Sequence, residues 1–458
     1  MKQNRRGFLT AASCLGAVSM LGKGKAAEER KGGDTLLGFA APPLARVRVA
    51  VALGPYAVTG ILASLPGVEI AALCAETEEE VKRARKHVER RKLPPPKEYI
   101  GPDASKRMVD DRVADVFYNG LLCANNTALN VYAMNGKMHV VSDPPVRCTV
   151  DDCWRLVEAS EKNKVHCVSS VNNSIYYGEW PLFALNVIRQ GLLGDLVACE
   201  GAFFLDRRMM LQQKDPRDRS IWETRMASKG LSRPWYTLAP LSRCLDVNRG
   251  DRLETLVSLS SGNSSLRGFV EGCKDPSLSN RLAADGCDVN ATMLRTAKGR
   301  LVTLRQAMSL PSPWHMPFSI YGTKGVLQWN GRDAKMGYES RASWGTVQFL
   351  DEKAMGELRE KFKHPLWKNV GEVARKIGGH GGASLLEEMY RIYCLRYGLP
   401  MGTDVYDFAT LASLMELTDK SARANGKALE IPDFTRGAWK AATPRPIEEI
   451  DVEKVFNA

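Results

Sequence analysis

Between residues 46 and 170 the chain alternates short β-branched runs with stretches at helical spacing. That rhythm constrains the fold more than any other feature. Residues 47–53 run to a Gly-Pro turn, 68–74 are a second apolar run, and 113–118, 139–141 and 165–169 follow. Helical segments lie between them at 57–65, 78–91, 126–135 and 151–163. Runs this short and apolar belong to strands covered on both faces, so the alternation predicts a doubly wound parallel sheet. The stretch is about as long as one nucleotide-binding domain.

After Tyr177 the grammar changes. A helix at 181–190 closes on Gly191, and longer strand-like segments follow at 195–205, 253–260, 288–296, 301–308, 318–321 and 326–329. The joints Lys298-Gly299 and Gly322-Thr323-Lys324-Gly325 read as hairpins, so these segments predict an open, largely antiparallel sheet. Residues 383–397 and 405–425 read as helices. The expected α/β organisation is therefore a Rossmann-like domain at 46–170 and an α/β substrate and oligomerisation domain at 171–440. A tail follows at 441–458. The open sheet is the surface through which two copies would pair.

Residues 1–27 read as an address. Asn4-Arg5-Arg6-Gly7-Phe8-Leu9 precedes a mildly apolar run and Ala26-Ala27, the layout of a twin-arginine signal peptide. The run is too short to span a bilayer. Export to the periplasm in the folded state is the expectation, with 28–45 as a linker. The whole chain holds 64 Lys and Arg against 52 Asp and Glu, or +12. Cleavage removes Lys2, Arg5, Arg6, Lys23 and Lys25, leaving 59 against 52, or +7, with no basic block. That balance argues against a nucleic-acid partner. Eleven cysteines carry no paired CxxC, so metal chemistry finds no spacing to support it. A Gly-x-Ser-x-Gly nucleophile setting is also absent.

Several strings, in order along the chain, resemble the Gfo/Idh/MocA oxidoreductases, and among them the NAD-dependent α-N-acetylgalactosaminidase branch. They include Pro66-Gly67-Val68-Glu69, Ala133-Met134-Asn135-Gly136-Lys137 and Leu185-Asn186-Val187-Ile188-Arg189-Gln190-Gly191. Asn248-Arg249-Gly250-Asp251, His380-Gly381-Gly382, Asp404-Val405-Tyr406-Asp407 and Pro432-Asp433-Phe434-Thr435 continue the series. The resemblance implies NAD and a carbohydrate or glycoconjugate substrate such as an N-acetylhexosaminide. It further implies hydrolysis by transient oxidation at C3, elimination across C2 and C1, and addition of water.

Laid on the family's motifs, the chain departs from them repeatedly. The Gly-rich turn falls on Ala52-Leu53-Gly54-Pro55-Tyr56-Ala57, keeping only Gly54, with Pro55 lacking an N–H and Tyr56 adding bulk. The ribose carboxylate aligns with Ala75, leaving Glu76 one place off. Asn126 takes the place of a histidine, Ser142-Asp143-Pro144 that of a glutamate-containing turn, and Asn173-Ser174 that of a Glu-Asn pair. These are the implied cofactor contacts. Tyr177 matches the family's catalytic tyrosine, a base if its pKa is lowered and otherwise a packed aromatic beside Tyr176 and Trp180. Tyr236 stands at a catalytic histidine, and His315 lies within a residue or two of a second site tyrosine. Arg207, Arg208 and Trp235 belong to a stretch, with Arg217, Trp222 and Arg225, that suits a sugar face; the alternative is a solvated loop over packed tryptophans. His380 sits among glycines, in a ligand loop or a structural turn. Three readings remain open: an NAD-dependent glycosidase, a silent carbohydrate-binding paralogue, and a keto-sugar lyase or hydratase without hydride transfer.

Overall fold

Val47–Ala52 (β1) buries five of its six residues and lies inside a six-stranded sheet, as its β-branched alternation predicts. The computed structural model describes residues 34–456, except 55–57, 123–125, 171–173, 274, 276–277, 279–281, 283–284, 332 and 340–346. The export signal, Tyr56 and Asn173 lie outside the described residues.

The other strands of this sheet are Val68–Ala75 (β2), Lys97–Ile100 (β3), Val116–Asn119 (β4), His139–Ser142 (β5) and Cys167–Ser169 (β6). All pair in parallel, in the order β3-β2-β1-β4-β5-β6. Chain direction across the sheet therefore switches between β1 and β4, where open α/β sheets leave a crevice at the strand C-termini. The helix Glu78–Arg90 starts at a capping box between Thr77 and Glu80 and buries Val81, Ala84 and Val88. The helix after β1 covers only Thr59–Leu62, shorter than its sequence pattern.

The second sheet has nine strands: Leu196–Phe204 (β7), Leu253–Ser260 (β8), Asn290–Thr296 (β9), Leu301–Ala307 (β10), Phe318–Gly322 (β11), Gly325–Trp329 (β12), Ala334–Glu339 (β13), Val347–Phe349 (β14) and Leu429–Glu430 (β15). Neighbours are antiparallel except β7 with β10. β9 alternates buried and exposed residues along its whole length, so one face packs and the other meets solvent. The helices Pro234–Cys244 and Val405–Arg423 lie against the packed face. Val197, Val257, Leu259, Met293 and Leu301 stand exposed on these strands. The helix Val405–Arg423 also packs on β6 and on the helix Val150–Asn163, tying the two sheets together.

Both ends of the described chain depart from the linker and tail expected of them. Leu36 is buried and its N–H donates to the Tyr406 hydroxyl at 2.9 Å, so the segment before β1 is docked rather than free. In the last segment Glu448 is buried and forms an ion pair with Arg243, while Arg445 reaches Asp404 at 2.9 Å. The nine described cysteines are free thiols; Cys148 and Cys153 lie 3.6 Å apart, sulfur to sulfur. Among the described residues no helix is long and apolar enough to cross a membrane.

Candidate active site

Two adjoining cavities open at the C-terminal ends of the parallel strands, and Leu122 lines both. The larger, about 930 Å³, is walled by Leu53 and Gly54 after β1, Glu76 after β2, and Leu121 after β4. The helix Glu78–Arg90 adds Arg83 and His87, Arg147 follows β5, and the helix Pro216–Met226 closes the far side. At the switch point Gly54 faces Gly120 so closely that a Cβ on Gly54 would fall 1.6 Å from the Gly120 carbonyl oxygen. Gly54 is thus required by the approach of the two strand ends, whatever occupies the cavity.

This cavity suits a nicotinamide dinucleotide in place and size. It lies at the switch point, where such ligands bind, and its volume is near the upper end of small-molecule sites (about 300–1,000 Å³). Among the described residues no carboxylate pairs with Arg83 or Arg147 at salt-bridge distance, so both can face phosphate. Glu76, the carboxylate nearest the ribose position, is engaged instead by Arg217 at 2.8 Å, which also reaches Glu80 at 3.3 Å and Asp215 at 3.1 Å. Arg217 thus spans the gap between the second domain's helix and the parallel sheet.

Asn126 and Ser142 line neither cavity, contrary to their assignment as cofactor contacts. Asn126 donates to the Leu121 carbonyl at 2.8 Å and accepts from Asn130 at 3.0 Å and from Ser142 at 3.1 Å. Asn119 donates to Asn130 at 2.7 Å. The four side chains form one buried network that braces the ends of β4 and β5.

The smaller cavity, about 290 Å³, lies between the two sheets. Asp143, Arg207, Arg225, Arg233, Trp235, Tyr236, Trp314 and His380 line it, with Phe203 of β7 behind them. Asp143 therefore belongs to this chamber rather than to the cofactor crevice. Its side chain is 8% exposed and its Oδ2 atom has no hydrogen-bond partner among the described residues. Burial pushes its carboxyl up to about 7, against the pull of Arg225; Glu388 and Glu387 push the same way as burial, and Arg391 opposes. Those last three residues sit on the helix Ala383–Tyr397, where Arg391 pairs with Glu387 and, at 2.5 Å, with Glu388.

Trp222 organises the cations. The guanidinium carbons of Arg225, Arg207 and Arg233 lie 5.1, 5.7 and 5.9 Å from its ring centroid. Arg233 also stacks 3.9 Å over the Tyr236 ring and donates to the Tyr236 hydroxyl at 2.5 Å. His380 borders the cavity in the left-handed backbone region, with φ 49°, between Gly379 and Gly381, which share it. Its Nδ1 is 3.0 Å from the Ser384 hydroxyl, and burial lowers its pKa. A non-glycine residue in that conformation stores strain that functional loops commonly keep.

Four expected site residues behave differently. Tyr177 is 3% exposed and lines neither cavity; its hydroxyl faces Glu448 at 3.5 Å, and burial raises its pKa rather than lowering it. Arg208 turns away to Asp206 at 2.7 Å and to the Phe269 ring. His315 pairs its backbone with Phe204, so strand alternation sends Trp314 and Met316, its two neighbours, to the chamber instead. Trp235 reaches the chamber but is 1% exposed, so the aromatic open to a sugar face is Trp314, at 48%. Trp314 and Arg233 were the residues missed. The first stands one place from the histidine that drew attention, and the second directly before Pro234-Trp235.

Comparison with known proteins agrees with this architecture. The profile of "Glycosyl hydrolase 109, C-terminal domain" matches residues 177–441, more than half of the chain. An α-N-acetylgalactosaminidase of Bacteroides fragilis is 32% identical over 415 residues, covering 88% of this chain and 96% of that protein. An α-N-acetylgalactosaminidase of Shewanella oneidensis is 29% identical over 457 residues, covering 96% and 98%. Among solved structures, a levoglucosan dehydrogenase in complex with NADH and levoglucosan superposes with a TM-score of 0.60. Its identity is 15%, and the match covers 84% of this chain and 99% of that one. An NAD-binding oxidoreductase of Klebsiella pneumoniae superposes with a TM-score of 0.62 at 12% identity, covering 85% and 100%.

Proposed function

The chain belongs to glycosyl hydrolase family 109, with a Gfo/Idh/MocA-type fold, and from that premise we propose that it hydrolyses a hexose glycoside in the smaller chamber. The reaction is transient oxidation at C3, elimination across C2 and C1, and addition of water. One observation carries this reading: a dinucleotide-sized crevice at the strand switch point opens beside a sugar-sized chamber holding a carboxyl that titrates near neutrality. NAD, when bound, supplies a reversible hydride acceptor, so the glycoside is cleaved with no net redox change.

The chain's own residues divide the remaining work. Arg83 and Arg147 hold the phosphates, and Glu76 takes the ribose hydroxyls once it parts from Arg217. Asp143 holds and returns a proton at the sugar ring, because a carboxyl with a pKa near 7 is half charged at the working pH. Trp314 offers an apolar face to the ring, and the loop around His380 closes the chamber's edge. The chain is exported through the twin-arginine route after folding around its cofactor. Two copies pair through the solvent face of the nine-stranded sheet.

The test is chemical. Protein purified from cytoplasm is expected to release about one dinucleotide per chain on denaturation, and turnover of an N-acetylhexosaminide in D2O is expected to leave deuterium at C2. Absence of dinucleotide, of any rise in melting temperature with NAD(H), and of C2 deuterium would remove the hydride mechanism. A carbohydrate-binding protein without turnover is the second reading. It is favoured by the pairing of Glu76 with Arg217, which occupies the ribose carboxylate.

A further inference from the structure

The smaller chamber holds more positive charge than a neutral sugar needs. Arg207, Arg225 and Arg233 line it together, within 6 Å of one indole centroid, and among the described residues Asp143 is the single carboxylate in its wall. Among the described residues no carboxylate lies at salt-bridge distance from Arg207 or Arg233; nearby Asp206 is occupied by Arg208. Three like charges around one ring repel one another, and a half-buried site screens that repulsion weakly. Burial also holds Asp143 partly protonated, so it offsets less than one of the three charges near neutral pH.

The buried Trp235 points the same way. Its indole Nε1–H is enclosed and has no acceptor among the described residues, although it borders the chamber. A buried donor without a partner is costly unless a ligand supplies the acceptor. Two guanidinium groups free of carboxylates and one unpaired indole N–H give the wall a surplus of donors. Such a wall matches a ligand whose oxygens accept and carry negative charge.

We propose that the sugar taken by this chamber is anionic, bearing a carboxylate or a sulfate ester that Arg207, Arg225 and Arg233 recognise. The inference rests on the assignment of this chamber as the sugar subsite. It names the class of sugar and leaves the cleavage chemistry as stated. Carboxylate and sulfate share the recognition chemistry, and the experiment separates them.

The experiment is titration calorimetry on the full-length purified protein with galacturonate, N-acetylgalactosamine 6-sulfate and N-acetylgalactosamine, with NAD titrated in parallel. At least one anionic sugar is expected to bind roughly tenfold or more tighter than the neutral one, and more weakly as salt rises. Whichever anionic sugar binds tighter identifies the group. Arg207→Gln and Arg233→Gln are each expected to weaken the anionic sugar about ten- to hundredfold and leave NAD unchanged. Arg207→Lys is expected to recover part of that loss. Neutral sugar binding as tightly as both anions, or no binding of either anion, overturns the proposal. So does a loss of NAD affinity in these variants with sugar affinity intact, because the arginines then serve the dinucleotide. Anionic sugar binding without any NAD binding supports the proposal while removing the hydride mechanism.

Discussion

Three arginines line each cavity, and the larger anchors one of its three in a cluster of carboxylates. In the larger, Arg217 is pinned by three carboxylates, Glu76, Glu80 and Asp215, across the boundary between helix and sheet. In the smaller, three arginines share Trp222 and face one carboxylate that burial keeps partly protonated. Paired charge at an exposed edge fixes geometry and adds little affinity, whereas Arg207 and Arg233, with no carboxylate at salt-bridge distance among the described residues, are open to an anionic ligand. The contrast locates selectivity in the smaller chamber and leaves the larger to hold a common cofactor.

The largest expected effect lies beneath the smaller chamber. Arg391 balances Glu387 and Glu388 and donates to the Ser169 carbonyl at 3.0 Å, next to Ser170 in the chamber wall. Arg391→Met leaves two buried carboxylates uncompensated. It is expected to lower unfolding free energy by about 3–5 kcal/mol in urea titration at pH 7. A loss under 1 kcal/mol would mean that the chamber floor carries no charge.

Asp143→Asn sharpens the comparison next. Proton transfer by a positioned side chain is worth about 10²–10⁴-fold, so kcat/KM is expected to fall by at least about 10². Stability should move the other way. The folded carboxyl, at about 7, sits above its unfolded value near 4, so the folded state binds the extra proton between those pH values. Wild-type stability therefore falls as pH rises through that window. The variant, which cannot ionise, is expected to gain roughly 2–4 kcal/mol over wild type at pH 8 and little at pH 4. Equal melting temperatures at both pH values would place Asp143 in water.

Tyr177→Phe asks whether chemistry lies outside the two cavities. Among the described residues the hydroxyl's hydrogen-bond partner is Glu448, at a long 3.5 Å, so the expected loss is about 0.5–1.5 kcal/mol of stability with kcat within about threefold of wild type. A folded variant with kcat down a hundredfold would restore the tyrosine as a base. The smallest effect belongs to Arg217→Ala. Exposed pairs are worth about 0.2–1 kcal/mol, and freeing Glu76 is expected to tighten NAD by up to about fivefold in calorimetry. Weaker NAD binding would make Arg217 a phosphate contact instead.

How much of this was legible in the sequence follows the same divide. The parallel sheet was readable because its central strands are short apolar runs. β3 was not, because an edge strand reading Lys-Glu-Tyr-Ile buries only Tyr99. Both sheets were foreseen in kind, the second as an open, largely antiparallel sheet. Single-residue registers were not. His315 and Trp314 differ by one place, and in a strand one place exchanges chamber for solvent. Arg207 and Arg208 illustrate the same step, since only the first faces the chamber. Motif position found Asp143, but its neutral-range carboxyl comes first from burial, which Arg225 opposes and Glu388 and Glu387 reinforce, and these groups, far away in sequence, meet only on folding.

The docked last segment also bears on how the core is held together. Arg243, beside the Tyr177 ring, takes its counter-ion from Glu448, 205 residues further along the chain. The helix junction around that guanidinium is thus clasped by a residue remote in sequence. Loss of the segment that carries Glu448 would strand a buried charge in the core rather than trim a surface.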